Sequence, residues 1–560
     1  MRPARLIRSA VIIAGCAATF ARAHAQPASP KAEAYSILFS RLKGETGGVL
    51  PGKCGLTALA SAIHARNSLG AGERRALGIV QARVERQTSL VTQDGRFKFH
   101  FDTTGTDAPA LLDSAGNRLA GTARAFADSA AAIMEHVYQV EVVGLGWPAP
   151  PQDGMLGGGP EYDIYILNLG PYFYGVTTPD EFSADGETST TFIEIHNDFA
   201  FVTPAKNRGI PALEVTLAHE FHHAIQIGNY GFWSNDVWFH EITSVWMEDV
   251  VYHGVNDYLN YLFAGGSEFF APGTPLTVAN GLIEYSRGIF GKFVTKYYGH
   301  DTMRHVWENA RGSSPLPALD ATLRALPSAT TLSVAFAEWA LWNYYTGPRA
   351  DTSTYYSEGA LFPVMAEPYY ELTSPTQQIS TSLSCLGAAY AGFVAGTDTV
   401  TVALANVNAA CPNGAQTSSP YTLTVSRTQI DGTYRPIPGN LYMNLNVADQ
   451  SSWIAWTIGR GGAVAGSAGE GTAFPDPFHP VAGALLFMPA GADEGTVAIY
   501  SSGMELVYNG ALQTQLRLGQ RVFAWDGRTN SGRTAPTGVY VFVLSLPGRR
   551  VTGKFALVRQ

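Results

Sequence analysis

The sequence predicts a multidomain chain in which an α+β domain is followed by β-sandwich (immunoglobulin-like) domains. Three observations carry that expectation. A chain of 560 residues exceeds what one hydrophobic core supports, so three or four domains are expected. Up to about residue 350, helix-period stretches alternate with short strand-like runs such as Phe97, Phe99 and Phe101, whose period of two marks a half-buried strand. Beyond about residue 360, β-rich runs recur between turn residues at 400–405, 421–426, 441–447 and 453–458.

Composition narrows the class. Charged residues make up 15%, while glycine (59) and tyrosine (26) are plentiful, a low-charge, turn-rich balance typical of extracellular β-containing proteins. It is not the composition of a disordered chain. Residues 1–25 read as a secretory signal: Arg2, Arg5 and Arg8 precede an apolar run, and Ala23-His24-Ala25 is a small-residue cleavage site. Ile13-Ala14-Gly15-Cys16 also resembles a lipobox, which leaves a lipoprotein anchored through Cys16 as the alternative to a secreted or cell-surface protein. No stretch is long enough to span a membrane. The signal's four arginines leave with it and take the formal charge from −9 to −13. An acidic surface argues against nucleic acid or anionic membrane as partner.

Residues 26–94 form an N-terminal segment that can serve as a propeptide. Its start, 26–35, is Pro/Ala/Ser/Lys-rich and reads as a linker, and Leu56 to Gln87 reads as helical. Between them lies Pro51-Gly52-Lys53-Cys54-Gly55. This is similar to the cysteine-switch motif of some zinc-protease propeptides, in which a thiolate occupies the metal's open position; a structural cysteine is the other reading.

The domain at 95–350 is organised around Pro211 to Gln226, which contains HExxH as His219, Glu220 and His223. Residues four apart share a helix face, so both imidazoles can reach one metal ion. Glu220 lies beside them, suited to take a proton from water rather than to bind metal. Zinc (Zn2+) suits two imidazoles and one carboxylate with a fourth position open. Pro211 fits a first helical turn, and Gly228-Asn229 reads as the stop. Seventeen residues separate His223 from Glu241, and Ser234 to Asp236 are N-cap candidates for a returning helix that can carry this carboxylate to the metal. Glu248 is the rival ligand, two turns further along. His222 and His240 fall off the ligand faces, as supporting or surface groups.

Together, HExxH and Trp238-Phe239-His240-Glu241 resemble the gluzincin metallopeptidases. The resemblance implies a zincin-like fold over 95–350, ligands His219, His223 and Glu241, and Glu220 as general base. It further implies zinc-dependent endopeptidase activity: amide hydrolysis of a protein or peptide substrate. A tyrosine ahead of a later helix stabilises the oxyanion in related enzymes; Tyr285 is the match, unless it only packs, and Arg287 is its neighbour. Strands are expected at 162–167 and 190–195, with an edge available to an extended peptide. Helices are expected at 119–142, through Trp307, and at 318–326 and 334–345. An adhesive surface protein with a structural metal site and a zinc hydrolase of non-peptide substrates remain the alternatives.

Cys385 and Cys411 lie in the sandwich at 360–462 and are expected to pair in an exported protein, leaving Cys54 the odd thiol. Residues 461–473 read as a Gly/Ala-rich linker. From 474 to 560 the series Trp525-Asp526-Gly527-Arg528, Ser531-Gly532 and Pro536-Thr537-Gly538-Val539-Tyr540 resembles the FlgD-type immunoglobulin-like module and related type IX secretion sorting domains. That resemblance implies secretion or cell-surface machinery as a further partner, with Trp525 and Tyr540 in the module's core.

Overall fold

The structure is a computed structural model. It describes residues 29–46 and 53–365, apart from 172 and 182–185. Beyond 365 it describes 368–371, 376–395, 398–408, 418–427, 441–447, 453–459, 470–472, 478, 480, 486–489, 495–501, 506–511, 514–517, 520–546, 549–557 and 559. The expected signal at 1–25 with Cys16, together with Pro51, Gly52 and Cys411, lies outside the described residues.

The N-terminal segment folds as three helices, α1 (Pro30–Thr46), α2 (Leu56–His64) and α3 (Ala71–Gln81). Two expectations are corrected here. Residues 30–35 begin a helix rather than a linker, because long-range partners hold them. Lys31 and Tyr35 are buried against Glu194, with Lys31 Nζ 2.7 Å from Oε1 and the Tyr35 hydroxyl 2.7 Å from Oε2. The helical reading of 56–87 breaks between His64 and Ala71 and stops at Gln81, ahead of a strand.

A five-stranded mixed sheet and one helix follow, in the order β1 (Thr88–Val91), β2 (Phe97–Phe101), α4 (Ala123–Tyr138), β3 (Tyr162–Leu167), β4 (Gly175–Pro179) and β5 (Thr191–His196). Its order is β1-β2-β3-β5-β4, so β4 is an edge strand. Phe97, Phe99 and Phe101 are buried on one face of β2, as their alternation predicts. Strands β3 and β5 are buried almost throughout because both sheet faces are covered. Phe192 and Glu194 of β5 meet Lys31, Tyr35 and Arg83 of the N-terminal segment. Ile193 and Ile195 alternate to the other face, where α5 packs.

Helix α5 (Ile210–Tyr230) carries Pro211 in its first turn and runs past the stop read at Gly228. Its terminus is Gly231, at φ 99°. Gly228 is needed for another reason: a Cβ there would lie 2.3 Å from Pro151 Cδ. Then come α6 (Val237–Val251), α7 (Leu259–Leu262), α8 (Ile283–Ser286), α9 (Gly288–Tyr298), α10 (Thr302–Asn309), α11 (Pro315–Ala325) and α12 (Leu332–Tyr344). These helices pack below α5 around Trp238, Trp307, Trp339 and Trp342, all buried.

Past residue 365 the regular elements among the described residues are all strands. The first part forms a three-stranded sheet (376–384, 418–427, 441–447) and a four-stranded one (369–371, 388–395, 398–406, 453–459). Cys385 is disulfide-bonded, and Cys54 is free and buried. Residues 470–472, read as linker, instead pair with 552–554. The last part forms sheets of five and three strands whose core holds Phe478, Trp525, Tyr540, Phe542 and Phe555. Trp525 and Tyr540 therefore pack where the sequence expected them. No helix among the described residues is long and apolar enough to cross a membrane.

Candidate metal centre

Helix α5 presents His219 and His223 one turn apart, and their Nε2 atoms face each other at 3.0 Å. Helix α6 returns antiparallel after a tight loop, because Asp236 starts it only six residues beyond Tyr230. Glu241 thereby reaches the pair, with Oε2 at 3.2 Å from His219 Nε2 and 3.6 Å from His223 Nε2. Cys54 completes the cluster: one donor atom each from Cys54, His219, His223 and Glu241 lie within 4.8 Å of one another. All four residues are buried.

These donors fit a metal ion. The Nδ1 atoms are already engaged, His219 with Glu248 Oε1 at 2.7 Å and His223 with Gln226 Oε1 at 2.8 Å and Ser244 Oγ at 3.1 Å. Each such bond turns the other nitrogen, Nε2, inward with its lone pair. Glu241 Oε2 has no hydrogen-bond donor among the described residues, a costly condition for a buried carboxylate oxygen unless a cation meets it. The charges point the same way. Burial works against a proton on His219, yet Glu241 and Glu248 prevail and push its pKa up to about 10. The same two carboxylates favour a divalent cation beside the imidazoles. Burial and the neighbouring Glu220 and Glu241 push the Cys54 thiol well above its ordinary value, so a thiolate here requires a cation beside it.

Glu220 stands apart from the donor set. Thr177 of β4 donates to its Oε2 at 2.8 Å, and Cys54 Sγ approaches the same oxygen at 3.7 Å. Burial raises its pKa, with His219 and His223 pulling the other way. Gly175 allows this approach, since a Cβ there would lie 2.9 Å from both Glu220 Cγ and Thr216 Cγ2.

The N-terminal segment enters along the edge of β4. Tyr174 N donates to Lys53 O at 2.9 Å, Gly55 N donates to Gly175 O at 3.1 Å, and Cys54 pairs with Gly175 in a parallel bridge. Tyr285 of α8 clasps the same residue: Cys54 N donates to its hydroxyl at 3.2 Å, and the hydroxyl donates to Cys54 O at 3.1 Å.

Cys54, His219, Glu220, His223, Glu241 and Tyr285 thus lie together, and Glu248 supports His219 from behind instead of joining the cluster. His240 shares Gln226 Oε1 with His223, at 3.0 Å. His222 is buried against Glu141 at 2.9 Å, so neither is a surface group. Arg287 points away, to Glu268 and the carbonyls of Thr274, Pro275 and Leu276. Sequence reasoning missed the supporting groups Thr177, Gln226 and Ser244. Only Gln226 carried a signal, lying three residues after His223 on one helix face.

A family model described as the FlgD Ig-like domain matches residues 482–547. No curated protein and no solved structure matches the chain. The described strands of that region, with Trp525 and Tyr540 in one core, agree with the match, and the chain therefore carries a C-terminal FlgD Ig-like domain.

Proposed function

We propose that this protein is a zinc-dependent endopeptidase of the gluzincin type, exported in a latent form with its N-terminal segment lying in the cleft. The observation that carries the reading is the convergence of His219 Nε2, His223 Nε2 and Glu241 Oε2 beside a buried Glu220 that is not one of the donors. A purely structural site has no use for such a base.

When bound, zinc supplies the Lewis acidity that makes water a nucleophile near neutral pH and polarises the scissile carbonyl. Glu220 takes the water's proton and later delivers it to the leaving amine. Thr177 holds Glu220 in place, while Glu248 and Gln226 fix the ligand imidazoles. Tyr285, which hydrogen-bonds a backbone carbonyl in the cleft, is suited to hold the oxyanion. The free edge of β4 binds substrate backbone as it binds residues 53–55. With zinc bound, Cys54 would be a fourth donor in competition with that water, and the intact chain would be silent.

One observation favours a second reading. With Cys54 as fourth donor the set is closed, as in a structural site, and a surface protein with a FlgD Ig-like domain could use it so. The two readings part on a denatured protein mixture incubated with full-length and N-terminally nicked protein, with and without a chelator. Chelator-sensitive fragments from the nicked form support the peptidase; none, with one zinc bound per chain, supports the structural site.

A further inference from the structure

We propose that the space holding the Lys53 side chain is a specificity pocket, and that this enzyme cuts bonds flanked by a lysine or arginine. The inference rests on the peptidase reading above and names its substrate class. Lys53 is only 1% exposed. Its ammonium lies over the rings of Tyr174 and Tyr261, with Nζ 5.4 and 5.6 Å from their centroids. The ammonium ends on two carboxylates, Glu248 Oε2 at 2.5 Å and Asp257 Oδ2 at 2.6 Å.

Position gives the pocket its meaning. Lys53 is adjacent to Cys54, the residue whose sulfur joins the metal cluster. The backbone here is held by β4-edge bonds open to any extended chain: Tyr174 N donates to Lys53 O, and Gly55 N donates to Gly175 O. A substrate on that edge therefore sends a side chain next to the scissile bond into the same space. Every wall belongs to the body of the domain: Tyr174 before β4, Glu248 on α6, Asp257 ahead of α7 and Tyr261 on it. Asp257 is braced by Asn207 and Asn260, whose amides donate to its Oδ1 at 2.8 and 3.0 Å. No wall is thus drawn from the N-terminal segment itself, and the walls carry two carboxylates for one cation. A basic side chain restores the pairing, whereas leucine leaves Glu248 Oε2 and Asp257 Oδ2 without the cation that meets them.

The test uses the zinc-loaded full chain, nicked at the exposed Glu85 between α3 and β1 by a glutamate-specific protease that is then inhibited. It is given peptides from a digested proteome, and the cut bonds are read by mass spectrometry. Lysine or arginine should flank the cut bonds at least about ten-fold more often than leucine, after correction for abundance, and Asp257→Asn should erase most of that bias. In parallel, nicked Glu220→Gln protein should bind a labelled Pro-Gly-Lys-Ala-Gly peptide about ten-fold more tightly than the same peptide with leucine for lysine. Cleavage without a basic bias, a bias unchanged by Asp257→Asn, or equal binding of the two peptides overturns the pocket and leaves the peptidase reading standing. No cleavage at any bond, with zinc bound, overturns that reading itself.

Discussion

Cys54 Sγ points at Glu220, 3.7 Å from its Oε2, so the residue that would silence the centre touches the residue that would drive it. A neutral serine hydroxyl is a much poorer zinc ligand than a thiolate. Full-length Cys54→Ser should therefore turn over a denatured protein faster than wild type. A ligand bond worth about 1.4 kcal/mol corresponds to about ten-fold. Initial rates on one substrate check this, and equal rates would return Cys54 to a structural role.

The donor assignment predicts an order of zinc affinities. His223→Ala and Glu241→Ala should lose metal and activity together. Glu248→Ala removes only the support behind His219 and should weaken zinc binding by about 10- to 100-fold. Competition with a chelating dye measures all three. A greater loss from Glu248→Ala than from Glu241→Ala would mean the wrong carboxylate has been placed on the metal.

Two glycines set the approach of α9 to α6. A Cβ at Gly291 would lie 2.4 Å from Trp246 Cγ, and one at Gly288 would lie 2.5 Å from Val245 Cγ1. Gly291→Ala and Gly288→Ala should each destabilise by about 1–3 kcal/mol through overpacking. Gly78, on the exposed side of α3, meets nothing within 4 Å, so Gly78→Ala should stabilise by up to about 1 kcal/mol. Thermal unfolding compares the three, and like shifts would contradict the packing argument.

Acid should act through His196 of β5. Burial, with Arg118 adding to it and Asp198 opposing, lowers its pKa to about 4. The unfolded chain then takes up the proton first, so this contribution is whole above pH about 6.5 and is lost as pH falls toward 4. The shift is worth about 3 kcal/mol at most. His196→Asn, whose side-chain oxygen can still accept from the backbone N–H of Asp198 and Phe199, should flatten that part of the stability profile. Denaturant unfolding at pH 7 and pH 4 is the measurement, and an unchanged slope would count against it.

What the sequence disclosed was what local spacing encodes. The i, i+4 histidines and the Phe97/Phe99/Phe101 alternation each state their own geometry, and Glu241 followed from one tight turn between helices. Strand β4 was not legible, because Gly175-Val176-Thr177-Thr178-Pro179 is short and bounded by a glycine and a proline. Yet it supplies Thr177 and the edge on which Lys53 and Cys54 lie. The stretch at 30–35 read as linker because its partner, Glu194, is about 160 residues away, and no periodicity reports such a contact. Lys53 and Asp257 were hidden for the same reason.

The most direct test of the central claim compares wild type with Glu220→Gln, both zinc-loaded and both nicked at Glu85, on one denatured protein. Wild type should gain chelator-sensitive cleavage, while Glu220→Gln should keep its zinc and gain none. Equal cleavage by the two, or none by either with zinc bound in both, would contradict the account.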